Sequence, residues 1–443
     1  MRKNYPYKTV MFLAAGLMFL FMACSTTKTA VDSKDLSYIY NPLRVSINPR
    51  YSVFNKSDNE SVLSVKFFTS DLYFTEANPS GVPMAMMFIS VRLYNISMGR
   101  TLSDTAFYNL DIVKDDKREE YLYKIPLRIE KGMQYVADVK VMDKIRQVMV
   151  QAFVPFNTTS ETNRYNFYAQ GNFLKNELLQ PVIRKDEYIN LIYGRTRPDS
   201  LYISFYTDIS DIPYPPSMVL PERPVPSEPD TIVAVLYSDT LPLMFPRKGI
   251  FFCTVGRELT EGYTFYNFGP NFPTLKTAEE MIEPLGYLAS ADEMEDMKNS
   301  EKPKMALDDF WLSCGGNVER ARELIRIYYT RTLYANYYFT SSREGWRTDR
   351  GMIYILYGPP DKLYKSNDEE SWGYKRPVVR SRWGSRYSVR EEYLFFNFKK
   401  RENKFTDNEY SLSRSETVVS YWDQAVRAWR NGIVFRLDNP TDI

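Results

Sequence analysis

The sequence contains no histidine. This absence excludes Ser-His-Asp and Cys-His catalysis, the usual zinc sites and histidine-based pH switching. Cysteine is almost as rare, with three in 443 residues and no CxxC spacing. The sequence also lacks a P-loop, a GxGxxG loop and a GxSxG elbow. We therefore predict a protein without catalytic residues, cofactor or metal ion.

A basic cluster is absent as well. The chain has 57 basic and 55 acidic side chains, and the basic ones are dispersed. Nucleic-acid backbones favour clustered Lys and Arg, so we expect no nucleic-acid partner. A chain of this length suggests two to four domains and can bury sizeable cores.

The N-terminus has the pattern of an export signal. Basic residues, including Arg2 and Lys3, precede an uncharged apolar run from Val10 to Met22. This run is too short to span a bilayer as a mature helix, which favours a cleaved signal peptide over residues 1–23. Its removal takes three basic residues and changes the formal charge from +2 to about −1.

Cys24 follows this run directly. The segment Phe21-Met22-Ala23-Cys24 resembles a lipobox, which implies a lipid anchor such as palmitate on Cys24. An ordinary secretory signal with an incidental cysteine is the alternative. Residues 24–40 then form the lipidated cysteine and a tether, which is small, polar and unpatterned up to about Lys34. No acidic residue follows Cys24 before Asp32, which favours the periplasmic face of the outer membrane.

The first two thirds of the chain predict β structure. Short segments rich in β-branched and aromatic residues, partly alternating with polar ones, recur between turn residues. We predict a β-sandwich domain over 41–155 and a second β-rich domain over 156–273, both immunoglobulin-like. A proline-rich stretch at 213–229 should be a surface loop, with a proline-rich ligand for a partner as the alternative.

Helical signals begin near Thr274. Thr277 with Glu280, and Ser290 with Glu293, have the spacing of capping boxes. Asn317 is placed to cap a longer amphipathic helix. We predict strands at 352–357 and 393–398, and a final helix over 416–430. Residues 274–443 should therefore form an α+β domain.

One motif in this domain is distinctive. It runs from Gly345 through Trp346, Thr348, Asp349, Arg350 and Gly351 to the turn Gly358-Pro359-Pro360-Asp361. This segment resembles the signature of GWxTD-domain proteins, a family of exported proteins and lipoproteins in Bacteroidetes and other bacteria. The similarity extends over about residues 274–443 and implies neither catalytic residues nor a ligand.

The motif permits a structural and a functional interpretation. In the structural one, Gly345 supplies an unusual backbone conformation, Trp346 fills a core, and Thr348 and Asp349 define a turn. Arg350 would pair with Asp349, Asp361 or Glu391. In the functional one, Asp349 and Asp361 meet as a carboxylate pair for a cation or acid–base chemistry.

A third interpretation gives the domain an aromatic binding surface. Trp372, Tyr374 and Trp383 would join Trp346 in a peptide- or glycan-recognising groove. From all these features we expect a non-enzymatic interaction or assembly module of the cell envelope, with an envelope protein as partner. The alternatives are a glycan-binding accessory protein and a carboxylate-dependent glycan hydrolase. Pairing of Cys253 with Cys314 stays open.

Overall fold

The computed structural model describes residues 35–43, 47–76, 81–97, 99–172, 176–207, 211–216, 225–366, 368–376, 379–383, 386–414 and 416–438. For 379–383, 386–390 and 416–420 it describes the backbone alone. The predicted signal peptide, Cys24 and the first part of the tether lie outside these residues. Antiparallel sheets are the main regular structure of the described chain, and its α-helices all follow residue 277.

The first unit is built from seven strands. They are β1 (Arg50–Asn55), β2 (Glu60–Phe68), β3 (Met84–Asn95), β4 (Thr101–Val113), β5 (Glu120–Arg128), β6 (Gln134–Asp143) and β7 (Val148–Asn157). One antiparallel sheet has the order β1-β2-β5 and the other β4-β3-β6-β7. Both sheets contribute to a single hydrophobic core.

The predicted alternation of buried and exposed residues is clearest in β3. Every second residue from Ala85 to Leu93 is fully buried, as expected for a strand with one face on a core. The strands predicted between residues 62 and 154 are confirmed. The sequence interpretation did not name β4, an edge strand in which Ala106, Tyr108 and Leu110 are only partly buried against the core.

The second unit has six strands in two sheets. They are β8 (Phe167–Gly171), β9 (Ile189–Tyr193), β10 (Ser200–Thr207), β11 (Thr231–Leu236), β12 (Gly249–Thr254) and β13 (Tyr263–Asn267). The sheets have the orders β11-β10-β12-β13 and β8-β9, and they share a core. The described parts of the proline-rich stretch, 213–216 and 225–229, contain neither helix nor strand, as predicted for a loop.

The third unit supplies the α-helices. They are α1 (Ala278–Ile282), α2 (Ala291–Asn299), α3 (Pro303–Gly315), α4 (Val318–Phe339), α5 (Asp349–Tyr357) and α6 (Glu416–Arg430). Both predicted capping boxes are present, at the start of α1 and of α2. Asn317 caps α4 by accepting a hydrogen bond from the Arg320 backbone N–H.

The helices of the third unit pack with a sheet of order β14-β15-β18-β19 around one hydrophobic core. The strands of this sheet are β14 (Lys362–Lys365), β15 (Glu369–Lys375), β18 (Tyr393–Lys400) and β19 (Tyr410–Leu412). A separate two-stranded hairpin is formed by β16 (Val379–Trp383) and β17 (Arg386–Arg390). Five 3-10 turns complete the described secondary structure, at Ser37–Tyr40, Thr69–Asp71, Arg164–Asn166, Glu283–Tyr287 and Gly345–Arg347.

The strand predicted at 352–357 was wrong, because these residues belong to helix α5. The helix begins after Thr348, whose side chain accepts a hydrogen bond from the Gly351 backbone N–H, and it ends at Gly358 with φ of 82°. The helix is buried on every side. A fully buried helix is apolar all round and therefore has no helical periodicity, so a short apolar run is easily taken for a strand.

The tether is shorter than predicted. Residues 35–40, which we call the N-terminal strap, pack into the core of the third unit. The Leu36 N–H donates to the Leu363 carbonyl at 2.8 Å, and the Leu363 N–H donates to Asp35 Oδ1 at 3.1 Å. Tyr40 is buried and donates its hydroxyl to Glu370 Oε1 at 3.0 Å. The strap thus extends the edge of the third unit's sheet at β14.

Phe405, in the loop between β18 and β19, joins the third unit to the second. It enters an aromatic cluster with Tyr206, Phe252 and Tyr266 of the second unit. Its carbonyl accepts a hydrogen bond from the Tyr266 hydroxyl at 2.7 Å. The second and third units are therefore held together by side-chain packing as well as by the covalent backbone.

The structure answers whether Cys253 pairs with Cys314 and whether a described helix has the properties of a membrane span. Cys253 and Cys314 are both free and buried, and they lie in the separate cores of the second and third units. A disulfide between them is therefore absent. Within the described residues, no helix combines the length and apolar character needed to cross a membrane.

Candidate functional site

The two glycines of the signature segment allow backbones to approach closely. A Cβ atom added to Gly345 would lie 2.0 Å from the Ala335 carbonyl oxygen in helix α4. A Cβ atom added to Gly351 would lie 2.0 Å from the Gly345 carbonyl oxygen. Gly345 is not among the described residues with positive φ, so the predicted role in an unusual backbone conformation was wrong. The glycines are required for contact distance.

Trp346 fills the space between this turn and the helices. Its side chain is 1% exposed, its backbone N–H donates to Asn336 Oδ1 at 3.1 Å, and its carbonyl accepts from the Tyr287 hydroxyl at 2.6 Å. The Arg347 guanidinium lies over the indole ring, 4.2 Å from the centroid, and bonds to Glu344 at 2.7 Å. The predicted core role of Trp346 is confirmed.

Thr348 and Asp349 form the turn that the sequence predicted. The Thr348 hydroxyl donates to the Gly345 carbonyl at 2.7 Å and accepts from the Gly351 N–H at 3.0 Å. Asp349 is the first residue of α5, where a carboxylate interacts favourably with the helix dipole. Its Oδ2 accepts the Leu412 N–H at 2.8 Å, which joins α5 to strand β19.

Arg350 pairs with a residue that the sequence interpretation did not name. Its Nη1 lies 3.1 Å from Glu370 Oε1, and both side chains are fully buried. Its Nη2 donates to Asn408 Oδ1 at 2.6 Å, and its guanidinium lies 4.0 Å from the Tyr410 ring centroid. The expected pairing with Asp349, Asp361 or Glu391 was wrong, because Asp349 and Asp361 bind backbone amides and Glu391 pairs with Lys375.

Glu370 is the centre of this buried network. Besides Arg350 it contacts Lys365 Nζ at 2.8 Å, the Tyr40 hydroxyl and Trp372 Nε1 at 3.2 Å. Burial by itself would raise the pKa of Glu370, but the charges of Lys365 and Arg350 outweigh it and lower the pKa to about 2. Glu370 therefore stays ionised and ties strap, helix and sheet together.

The turn after α5 has a separate structural function. The Gly358 carbonyl accepts the Tyr374 hydroxyl at 2.8 Å, and the half-buried Pro359 and buried Pro360 follow it. Asp361 Oδ2 accepts the Lys375 N–H at 2.9 Å, which starts the pairing of β14 with β15.

The suggested carboxylate pair is not formed. Asp349 and Asp361 lie beyond opposite ends of a nine-residue helix, which is about 13 Å long at 1.5 Å per residue. Across the described residues, no group of three or more Cys, Asp or Glu side chains is arranged to hold a metal ion.

The aromatic binding surface predicted from the sequence was also wrong. Trp372 is 0% exposed and Tyr374 4% exposed, and both point into the core of the third unit. Both side chains belong to the core that this sheet forms with the helices. Trp383 lies in hairpin β16-β17, and its side chain lies outside the part that the structure describes.

An open site lies elsewhere, where the three units meet. A cleft of about 1310 Å³ is lined by residues 50–54 of β1, by residues between 164 and 188, by 263–273, by the end of α4 and by 405–408. We call it the junction cleft. Tyrosine is its most characteristic lining residue, and Tyr188 and Tyr337 are 39% and 38% exposed.

Several charged side chains of the junction cleft are already engaged. Glu177 is 3% exposed; it accepts the Ser52 hydroxyl at 2.8 Å and lies 3.3 Å from Lys124 Nζ. Asp407 accepts the Tyr165 hydroxyl at 2.9 Å. Arg50, at the start of β1, forms a cation–π contact with Tyr337 at 5.5 Å instead of an ion pair within the described residues. The cleft thus has fixed polar walls, and two of its arginines, Arg50 and the exposed Arg184, form no ion pair within the described residues.

These residues differ in how well the sequence could have predicted them. Glu370 could have been found, because it alternates with Trp372 and Tyr374 along one strand and so shares their buried face. The cleft could not, since Arg50, Glu177 and Tyr337 come from three units and no local pattern connects them.

Taken together, the fold defines a mainly antiparallel β protein with a helical C-terminal unit. Within it, residues 249–431 match the family model of the GWxTD domain, so this part of the chain is similar to that family. The match begins at β12 of the second unit, upstream of the residue 274 predicted from the sequence, so it includes two strands of that unit's sheet.

Comparison with curated proteins found no match. Among solved structures, similar segments occur in β-glucuronidase 2 of Bacteroides uniformis, at 13% identity and a TM-score of 0.17, and in a second Bacteroides uniformis β-glucuronidase, at 11% and 0.16. These matches cover 25% and 28% of this chain but 13% and 14% of the enzymes. At such TM-scores the likeness carries no argument about fold or activity.

Proposed function

We propose that this chain is a non-enzymatic binding protein of the bacterial cell envelope and that the junction cleft is its binding site. The observation that carries the proposal is the cleft of about 1310 Å³ to which all three units contribute. Concave sites between domains are the usual location of ligand binding. The signature residues, in contrast, are used within the core, so they are not available to a ligand.

We further propose that lipidation of Cys24 anchors the protein to the periplasmic face of the outer membrane. Ten residues separate Cys24 from the strap, and such a segment spans at most about 35 Å when extended. The GWxTD unit would thus be held close to the membrane.

Labelled palmitate should enter the wild-type protein but not the Cys24→Ser variant, and proteases added to intact cells should leave the protein uncut. Cleavage on intact cells would contradict the periplasmic location.

The first unit is, on this proposal, immunoglobulin-like. Its strand orders, β1-β2-β5 and β4-β3-β6-β7, are those of a two-sheet Greek-key sandwich. Tyr135, near the start of β6, accepts the Glu130 N–H on its hydroxyl at 2.7 Å, like the tyrosine corner of such domains. The same assignment for the second unit rests on its two sheets around one core.

Photo-cross-linking in native envelopes tests the binding site. A photoreactive phenylalanine in place of Tyr337, which lines the cleft and is 38% exposed, should yield a discrete cross-linked product. The matched control is the same substitution at Tyr73, which is 49% exposed and outside the cleft. Equal products from both positions, or none from Tyr337 and Tyr188, would contradict the proposal.

Glycan binding in the same cleft is the second candidate. The exposed tyrosines Tyr188 and Tyr337 beside fixed polar side chains suit a sugar ring as well as a polypeptide. Cross-linked products that carry carbohydrate and lack protein would favour it. The hydrolase alternative has less support, because Asp349 and Asp361 lie at opposite ends of α5.

A further inference from the structure

The free edge of strand β1 lies along the junction cleft. Five consecutive residues, 50–54, line the cleft. Side chains alternate between the two faces of a strand, so a wall of consecutive residues presents the edge of the strand. Strand β1 pairs with β2 on one side alone, and no backbone hydrogen bond joins its other edge to the described residues.

An open edge of this kind is a template for another strand. Its N–H and C=O groups can accept an extended segment that adds to the sheet. The five residues of β1 that line the cleft offer about 17 Å of edge, enough for a strand of similar length. The edge lies inside a cleft whose lining also includes Tyr337 of one unit and Glu177 of another.

Arg50 adds a charge requirement at the first residue of this edge. Its guanidinium is held over the Tyr337 ring, 5.5 Å from the centroid, and within the described part of the chain no acceptor bonds to it. Burial lowers the pKa of Arg50, while Asp71 acts on it through space without forming an ion pair. Arginine stays protonated in proteins, so a carboxylate or similar anion is the partner that Arg50 lacks among the described residues.

The neighbouring charges do not supply that anion. Glu177 is held by Ser52 and Lys124, and Asp407 by Tyr165 and Arg164. Asp186 and Glu187, which also line the cleft, form no ion pair with Arg50 within the described residues. A carboxylate of a ligand can therefore pair with Arg50.

We propose that the junction cleft binds an extended, acidic polypeptide segment of an envelope partner, which adds a strand to the free edge of β1 and places a carboxylate on Arg50. This inference rests on the proposed function, and it names the chemical class of the partner. Main-chain hydrogen bonds would supply the affinity, and the carboxylate would supply the register and the selectivity.

A display library of random decapeptides, selected on the purified full-length protein, tests this directly. The library should yield peptides with an acidic residue that bind at least tenfold less tightly when that residue becomes Gln. The Arg50→Gln variant should lose the same tenfold. Arg100→Gln is the matched control, because Arg100 also lies over a tyrosine ring, at 4.5 Å, but on an exposed surface.

Backbone recognition has its own readout. N-methylation at alternate positions of a selected peptide should weaken binding at least tenfold, and the amides of β1 should exchange more slowly in the complex. Failure to select acidic peptides, insensitivity to N-methylation, or equal binding by Arg50→Gln would each overturn the inference. Binding of polygalacturonate without any peptide would do so as well.

Failure here and failure of the proposed function are distinguishable. If Tyr337 still cross-links in native envelopes while the library yields nothing, the strand-addition inference fails and the binding role stands. If the Tyr337 and Tyr188 cross-links are also absent, the proposed function fails with it.

Discussion

The signature segment and the junction cleft use similar residues in opposite ways. In the signature segment, Trp346 and Arg350 are 1% exposed, and Arg350 is paired with Glu370. In the cleft, Tyr337 is 38% exposed and Arg50 has no ion-pair partner among the described residues. The main charge of the first region is neutralised in the core, whereas the cleft has a strand edge and a cation without an ion-pair partner among the described residues.

The comparison distinguishes residues that build the fold from residues that we propose bind a ligand. A family signature is easily taken for an active site, yet its hydroxyl and charged side chains each have a structural partner. Among the described residues, the buried Trp346 Nε1 has no hydrogen-bond partner. Thr348 caps α5, Asp349 fastens β19, and Asp361 starts the pairing of β14 with β15. The residues of this signature therefore explain how the third unit folds, and on the proposed function a ligand binds where the three units meet.

The largest effect should come from the contact between the turn and α4. Gly345→Ala places a Cβ atom 2.0 Å from a backbone oxygen, and neither backbone can move without disturbing the core. We expect a loss of more than about 4 kcal/mol, seen as a lower midpoint in urea. Gly256→Ala is the control, because a Cβ atom there meets nothing within 4 Å. Equal midpoints would contradict the structural interpretation.

Glu370→Gln should have the next largest effect. It leaves Arg350 in the core without its counter-charge and weakens the hold on Lys365 and the strap. Removing one partner of a buried ion pair costs about 3 kcal/mol or more. Glu369→Gln, one residue earlier and half-buried, should change the urea midpoint little. A similar fall in the urea midpoint of both variants would contradict the stabilising role of the Glu370 network.

The same network predicts acid sensitivity. The pKa of Glu370 is lowered to about 2 in the folded protein and is about 4.3 in an unfolded chain. The stabilisation is therefore complete above about pH 5 and is lost as the pH falls towards 2. At pH 3 about 2 kcal/mol of it should be gone. The gap in urea midpoint between wild type and Glu370→Gln should shrink from pH 7 to pH 3, and a constant gap would contradict the assignment.

The strap gives a smaller test. Tyr40→Phe removes the hydroxyl that bonds to Glu370 at 3.0 Å without changing the packing of the ring against Phe339 and Trp372. A hydrogen bond to a charged group contributes about 1–2 kcal/mol. Tyr73→Phe is the matched control on an exposed ring. If the urea midpoints of the two variants agree, the strap is not part of the folded core.

The smallest change in stability is expected in the cleft. Arg50→Gln removes a charge that no described acid neutralises by contact, so its unfolding free energy should change by less than about 0.5 kcal/mol. A large loss of stability would instead show that Arg50 is a structural residue. The junction cleft and the signature segment would then not differ in this respect.

The sequence was informative where structure is local. The capping boxes at Thr277 and Ser290 and the alternation in β3 follow from side chains a few positions apart, and they were predicted. The strand assignment of 352–357 failed because a helix buried on all sides has no amphipathic pattern.

The candidate site depended on non-local contacts. Trp372 and Tyr374 looked like a binding surface because the sequence does not say which strands pair on both sides. The strap at residues 35–40 joins a sheet more than 300 positions away, at Leu363. Such contacts are decided by tertiary packing, and one sequence contains no signal for them.

The most direct test of the account compares Arg50→Gln with Glu370→Gln in one pair of assays, the urea midpoint and cross-linking from Tyr337 in native envelopes. The account predicts that Arg50→Gln keeps the wild-type midpoint and loses the cross-link. Glu370→Gln should lower the midpoint and keep the cross-link at temperatures where it stays folded. The opposite pattern, with the cross-link kept by Arg50→Gln and lost by folded Glu370→Gln, would contradict it.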